Sequence, residues 1–442
     1  MTPVEMADGA LRLLAGGRVR EVHRAFAPAV RRKVSVRQLR SGWRQQVEAH
    51  GGMTGWRVVG TEVHDGADGP RTVVRFDCET PGPRLDATAT VGADGELLGL
   101  LVVPAVPAWE PPSYADPELL VEEGVTLGEG EDAVDGTLTV PRMDVQGDGR
   151  TPGTGRRGPV PAVVLLSGMG PIDRDMTMGA NKIGRDLAWG LAARGVATLR
   201  YDNPSHADPE RTQRDGAVAT DDYLPAVAHA VALLRRDSRL DPARIVLAGH
   251  SLGGKVTPRV ALALPDDAGP SVAGLVLLAA DASPMPDAAI RVTRYLAGIP
   301  GSGVRRLDAW RTARQAHRAA DPRLSGDTPA ARLPFGLPAS FWRDMQAYDP
   351  VDAARSVGLP MLLLQGGRDY QVTVEDDLDR WRHGLADRDD VMIQVLPEDD
   401  HLFLPGAEPS SPAGYLPPQH LDERVIETIA RWVHAQSAAR AT

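Results

Sequence analysis

Six short runs of continuous apolar residues, PAVVLLSG, VATLRYD, RIVLAGHS, VAGLVLLAA, PMLLLQGG and DVMIQVLP, follow one another between residues 161 and 397, with helix-forming segments between them. A strand apolar along its whole length has both faces covered, and strands that alternate with helices are joined by crossovers. The pattern therefore demands an α/β fold with a mostly parallel central sheet and helices on each side. Helices are expected near residues 180–194, 217–237, 252–264, 374–387 and 421–437. The rhythm breaks once, at residues 283–356, which are rich in helix formers and Pro. An insertion there sits over the carboxyl edge of the sheet as a helical cap.

Residues 1–105 have a different texture. Val19, Val22, Phe26 and Val30, then Leu39, Trp43 and Val47, recur every three or four positions, which predicts two or three short helices. From Trp56 the chain turns to short runs broken by Asp-Gly or Pro-Gly turns, WRVVGTEVHDG, RTVVRFDCET, LDATATVG and ELLGLLVVP, which predict an antiparallel sheet. Helices followed by meandering strands make a small α+β domain over 1–105. Pro-rich residues 106–118 read as a linker, and 119–442 form the larger domain, opening with an antiparallel pair, VEEGVTL and AVDGTLTVP.

Composition removes several classes of function. The single cysteine, Cys78, forbids an intramolecular disulfide. The eleven histidines include no pair at short ligand spacing, so neither a metal nor a cofactor is expected. Net charge is −10, yet residues 1–50 carry ten Lys and Arg against Glu5, Asp8, Glu21 and Glu48. Those cations lack interleaved aromatics and lie among helix-spaced apolar residues, so a solvated helix face is expected and no nucleic-acid partner. No run approaches 18 apolar residues, and no apolar segment follows a basic amino terminus, which predicts a cytoplasmic chain with no membrane partner.

Three glycine motifs compete. GTGRRG at 153–158 has dinucleotide-fingerprint spacing but precedes a strand instead of following one, so it reads as a loop. Gly249 to Lys255 fits the phosphate-loop pattern GxxxxGK, yet Val256 stands where a hydroxyl must meet Mg²⁺. The same stretch also reads GxSxG, Gly249-His250-Ser251-Leu252-Gly253, at a strand-to-helix junction. There a sharp turn exposes the serine hydroxyl, and small flanking residues make room for it. The Leu252 amide, at the start of the helix, is one expected donor to an oxyanion.

A serine hydroxyl needs a base, and the base needs a group to hold its tautomer. Asp369 follows the strand MLLLQGG, and His401 lies in a loop after VMIQVLP and before the last helix. Both stand at carboxyl ends of strands, in the order serine, acid, histidine. Asp281, which ends LVLLAAD, is a rival acid, and Asp399 and Asp400 read as solvated loop charges. The second oxyanion amide is expected at Met169, between Gly168 and Gly170. Beyond it, Arg174 between Asp173 and Asp175 reads either as a brace for the loop or as exposed polar chain.

These residues, together with SGMGPIDRD, RYD at 200–202, LPASFWRDMQAYDPV, LPMLLLQGGRDYQV, HLFLPG and GYLPPQH, resemble those of bacterial α/β-hydrolase esterases whose hydrolase domain follows a small N-terminal domain of unknown function. The resemblance covers nearly the whole chain. It implies the α/β-hydrolase fold, Ser251 as nucleophile, Asp369 as acid, His401 as base, a helical cap from 283–356, and hydrolysis of carboxylic esters. Two departures stand out. NPSHADPE follows RYD where such proteins usually carry a basic residue and Gly, and Asp400 precedes His401 where Asn is common.

The expected partner is a small-molecule acyl substrate, cleaved as an ester, thioester or lactone. An acyltransferase or cyclase using the same three residues, and a non-catalytic binding protein on the same scaffold, remain open. Of the cap aromatics Tyr295, Trp310, Phe341, Trp342 and Tyr348, most are expected to pack the cap's own core and not an acyl pocket. The N-terminal domain is expected to shield the active-site mouth, to mediate a homodimer, or both.

Overall fold

A computed structural model describes residues 2–64, 69–142, 158–209, 211–265, 272–300 and 302–439. The expected GTGRRG loop lies outside the described residues except for Gly158. The chain divides into two compact units, 1–108 and 109–442.

The first unit opens with four helices, α1 (Pro3–Ala15), α2 (Val19–Ala25), α3 (Pro28–Lys33) and α4 (Val36–Gln46). Four form where two or three were expected, because Pro28 forces the chain out of α2 and restarts it, and Ser35 caps α4 in a reciprocal box with Gln38. The sheet is β1 (Gly55–His64), β2 (Arg71–Glu79), β3 (Leu85–Gly92) and β4 (Leu97–Pro104), all antiparallel in that order. Leu85, Ala87, Ala89 and Val91 alternate on the buried face of β3 and share a core with Leu11 and Leu14 of α1, Phe26 just after α2, and Trp43 of α4. Cys78 is buried in this core, and burial pushes its thiol up to about 11. Basic side chains of the helices face outward in local ion pairs, Arg12 with Asp8 and Arg18 with Glu21.

The second unit begins inside the segment expected to be a linker. The Trp109 indole donates to Asp186 at 2.8 Å and packs edge-on against Trp189 at 5.0 Å, while the Tyr114 hydroxyl donates to the Leu421 carbonyl at 2.9 Å. Large aromatics with a polar tip find partners on a folded surface, so this Pro-rich stretch is docked chain.

Next come β5 (Leu120–Leu127), β6 (Val134–Pro141) and β7 (Val160–Leu166), a short hairpin of β8 (Thr177–Met178) and β9 (Asn181–Lys182), then α5 (Ile183–Ala192), β10 (Ala197–Tyr201), α6 (Pro204–Ala207) and α7 (Leu224–Arg236). They are followed by β11 (Leu240–His250), α8 (Leu252–Ala263), β12 (Gly274–Leu278) and the cap helices α9 (Met285–Gly298), α10 (Arg306–Ala319), α11 (Ala339–Gln346) and α12 (Pro350–Val357). β13 (Met361–Gly366), α13 (Asp379–Gly384), β14 (Val391–Leu396) and α14 (Glu423–Ala439) close the chain.

The sheet order is β14-β13-β12-β11-β7-β10-β6-β5, parallel from β14 to β10, with β6 and β5 added as an antiparallel edge. Alternate residues of β7 enter different cores, Ala162 and Val164 toward α7 and α8, and Val163 and Leu165 toward α5 and α14. Helices cover both faces, which is why these strands are apolar throughout. Winding reverses between β7 and β11, so their carboxyl ends open a crevice.

Two expected helices are shorter than the spacing suggested. Pro225 starts α7 only after a 3₁₀ turn at Ala219–Asp222, and residues 374–378 form a π turn ahead of α13. Buried Asp377 pins that turn, accepting from the amides of Ala282, Ser283 and Thr373. Among the described residues no helix is long and apolar enough to cross a membrane, and no group of three or more His, Cys, Asp or Glu is arranged to hold a metal ion.

Candidate active site

β11 ends at His250 and α8 starts at Leu252, leaving Ser251 alone to turn the corner, with φ 55° and ψ −123°. A left-handed backbone costs a residue with a side chain about 1–2 kcal/mol and persists only where its surroundings enforce it. Here the Ser251 amide donates to the Leu278 carbonyl, and its own carbonyl accepts from the Lys255 amide, both at 2.9 Å. A methyl group on Gly249 would run into Thr257 Oγ1 and the Gly253 carbonyl, and one on Gly253 would meet the carbonyls of Leu166 and Ser167. Both glycines of the motif are thus required by close approach of β7, β11 and α8.

His401 Nε2 lies 3.1 Å from Ser251 Oγ, and its Nδ1 lies 2.7 Å from Asp369 Oδ2. A carboxylate only accepts, so Nδ1–H donates to Asp369 and the bare Nε2 accepts from the serine hydroxyl. Asp369 is held in turn by the amides of Gln371 at 2.7 Å and Val372 at 3.0 Å, and by the Gln365 side chain at 3.2 Å. His401 is buried, which disfavours its cation. The charge and hydrogen bond of Asp369 outweigh that burial, with help from Asp400, so its pKa stands above the ordinary histidine value.

The loop before His401 corrects an expectation. Asp399 and Asp400 are buried, not solvated. Asp400 Oδ1 accepts from the amides of Leu402 at 2.9 Å and Leu404 at 3.1 Å, folding the turn that presents the imidazole. Burial and the nearby charge of Asp422 push the Asp399 carboxyl above its usual range. Arg368 clamps the same loop through the carbonyls of Glu398 and Glu408 at 2.8 and 2.9 Å.

Asp281, the rival acid, is engaged elsewhere. Its carboxylate pairs with Lys255 at 2.8 Å, and Lys255 also donates to the Ser283 carbonyl at 2.6 Å. The lysine of the phosphate-loop pattern is therefore buried under α8 as a structural counter-ion. Arg174 does not bridge its sequence neighbours: it forks onto Asp202 at 2.6 and 3.0 Å and reaches the Gly136 carbonyl, whereas Asp175 pairs with Lys182 and Arg200. The brace is real, but its partners come from β6 and the end of β10.

Met169 and Leu252, whose amides were expected to face an oxyanion, both line a cavity of about 210 Å³, Leu252 being the residue that follows Ser251. Gly170, Pro171, Asp222 and Tyr223 also line it, as do Phe335, Leu337 and Phe341 from the cap. Of the five cap aromatics considered from sequence, Phe341 alone lines it. Trp342 is buried beside Phe341 at 5.7 Å, Trp310 is exposed, Tyr295 stacks on Tyr370 at 4.9 Å, and the Tyr348 hydroxyl donates to the Lys255 carbonyl at 2.7 Å.

Sequence reasoning missed His250, Asn203 and Tyr223. His250 Nε2 lies 2.8 Å from the His401 carbonyl, which fixes Nε2 as the protonated nitrogen and leaves buried Nδ1 without a partner. Asn203 and Tyr223 reach the carbonyl of Gly168.

The chain is similar to several known proteins. It is 30% identical over 364 residues to Esterase EstD of Thermotoga maritima, an alignment spanning 82% of this chain and 79% of that one. Among solved structures, Est1E from Butyrivibrio proteoclasticus aligns over 71% of this chain and 99% of its own, with a TM-score of 0.43 and 16% identity. The 2,6-dihydroxy-pseudo-oxynicotine hydrolase aligns over 70% and 66%, with a TM-score of 0.42 and 15% identity. The model of the alpha/beta hydrolase family matches residues 163–414, more than half of the sequence, and on that match the chain belongs to the alpha/beta hydrolase family.

Proposed function

We propose that this protein is a carboxylesterase-like serine hydrolase that cleaves small acyl esters through an acyl-enzyme on Ser251. The observation that carries the reading is His401, hydrogen-bonded to Ser251 at 3.1 Å on one side and to Asp369 at 2.7 Å on the other. The relationship to a protein named as an esterase supports ester cleavage.

As Ser251 Oγ attacks the ester carbonyl, its proton passes to His401 Nε2, and Asp369 stabilises the imidazolium that forms. Negative charge collects on the carbonyl oxygen, where the amides of Leu252 and Met169 receive it. The imidazolium gives its proton to the departing alkoxide, leaving the acyl group on Ser251. Water then attacks the acyl-enzyme while His401 takes its proton, and the proton returns to Ser251 as the acid leaves. The cavity between the Met169 loop and the cap is the place for the acyl group.

A fluorophosphonate probe and a p-nitrophenyl ester series test this. The probe is expected to modify Ser251 and no other residue. Ser251→Ala is expected to abolish labelling and lower kcat on the order of 10⁶-fold. Equal ester turnover by the two proteins would remove Ser251 from the mechanism.

A further inference from the structure

We propose that Asn203, assisted by Tyr223, positions the Met169 amide for the oxyanion; the inference rests on the Ser251 chemistry above and adds to it the group that aims its second donor. Asn203 is fully buried, at the start of α6, in the stretch where this chain departs from the family pattern. Its Nδ2 carries two hydrogens and lies 3.1 Å from each of two carbonyls, Gly168 and Gly170. Carbonyls only accept, so the orientation of the side-chain amide is fixed, and Ser167 Oγ donates to its Oδ1 at 2.7 Å. Tyr223 donates a second hydrogen bond to the Gly168 carbonyl at 3.1 Å, and Ser205 a second one to the Gly170 carbonyl at 3.0 Å.

The consequence follows from peptide geometry. In a trans peptide the C=O of one residue and the N–H of the next point in opposite directions, and the described chain has no cis bonds. Drawing the Gly168 carbonyl toward Asn203 and Tyr223 therefore turns the Met169 N–H the other way. Gly168 lies directly against the nucleophile, since a Cβ on it would stand 3.4 Å from Ser251 Cβ. The peptide that joins Gly168 to Met169 has glycine on one side, where rotation costs little sterically, and rotation would bring a carbonyl oxygen to face the oxyanion instead of a donor. The two hydrogen bonds on the Gly168 carbonyl oppose that rotation directly, and the two on the Gly170 carbonyl hold the chain just beyond Met169.

The same segment binds the rest of the loop. The Asn203 amide donates to the Ile172 carbonyl at 3.0 Å, and His206 Nδ1 lies 3.2 Å from the Pro171 carbonyl. NPSH thus supplies a set of donors matched to the carbonyls of Gly168, Gly170, Pro171 and Ile172.

The test compares full-length wild type with Asn203→Leu, which keeps the size and removes the donors, and with Tyr223→Phe. kcat for p-nitrophenyl butyrate is normalised to sites titrated by fluorophosphonate, and binding of a trifluoromethyl ketone, which forms a tetrahedral adduct, is measured alongside. Asn203→Leu is expected to lower kcat about 100-fold, the range seen when one oxyanion donor is lost. Tyr223→Phe is expected to lower it roughly fivefold, the worth of one ordinary hydrogen bond. In both, KM stays near wild type and ketone affinity falls in parallel with kcat. Should the leucine variant not fold, Tyr223→Phe carries the same test. An unchanged kcat, a loss carried by KM or by the titrated fraction, or a loss of kcat with ketone affinity intact would overturn the assignment. If Ser251→Ala is dead while these variants are unimpaired, the hydrolase reading stands and this one falls. If Ser251→Ala retains activity, the hydrolase reading itself fails.

Discussion

His401 works beside a histidine that does not titrate with it. Burial and the neighbouring His401 push His250 down to about 3, so it remains neutral while His401 changes charge. A general base acts only when neutral, and Asp369 and Asp400 both favour the His401 cation. The acid limb of kcat/KM is therefore expected above 6.5, the ordinary histidine value, with activity lost as pH falls through it. Asp369→Asn removes the larger of the two charges: the limb moves to lower pH, and kcat falls about 10⁴-fold because the tautomer is no longer held. Asp400→Asn also moves the limb down, but its amide oxygen still accepts from Leu402 and Leu404, so the plateau in kcat stays within a few-fold of wild type. Rate profiles against pH for the three proteins check this, and a limb that stays in place in both variants defeats the electrostatic account.

Among the elements, the cap is the one that the proposed function makes responsible for what the site admits. Phe341 on α11 is buried, lines the cavity proposed for the acyl group and packs against Trp342. Phe341→Ala should cost about 3 kcal/mol of stability and enlarge the cavity. The preference for octanoate over acetate esters is then expected to rise about tenfold, since a methylene in an apolar pocket is worth 1–3 kcal/mol. A p-nitrophenyl ester series and urea unfolding measure both, and an unchanged chain-length preference would move the acyl group out of this cavity. Sequence and structure diverge at the same scale. The strands of the sheet were legible because double-sided burial leaves continuous apolar runs, and the positions of Ser251, Asp369 and His401 because each follows such a run. Asn203, Tyr223 and His250 were not, because what they do depends on carbonyls brought near by the fold: Gly168 lies 35 residues from Asn203 and 55 from Tyr223, and His401 lies 151 residues from His250. The partner of Lys255 was hidden for the same reason, since only the end of β12 shows what the ammonium meets. The docked Trp109 was hidden by the prolines around it.

At the scale of the whole molecule, each unit encloses its own core, and Trp109 onward belongs with the second. A chain starting at Trp109 is expected to fold and to unfold at the same urea midpoint as the second unit of the full protein. One starting at Pro117 loses Trp109 and Tyr114 from the surface formed by Asp186, Trp189 and Leu421, and with them about 3 kcal/mol. Equal midpoints for the two truncations would show that the docked segment contributes no stability. Two neighbouring strands of the second unit's sheet, β12 and β13, end near carboxylates that both favour the charged imidazole, Asp281 and Asp369. Lys255 occupies the first of them. The imidazole thus sits in the field of two carboxylates from adjacent strands but is bonded to one alone, because the ammonium has taken the other.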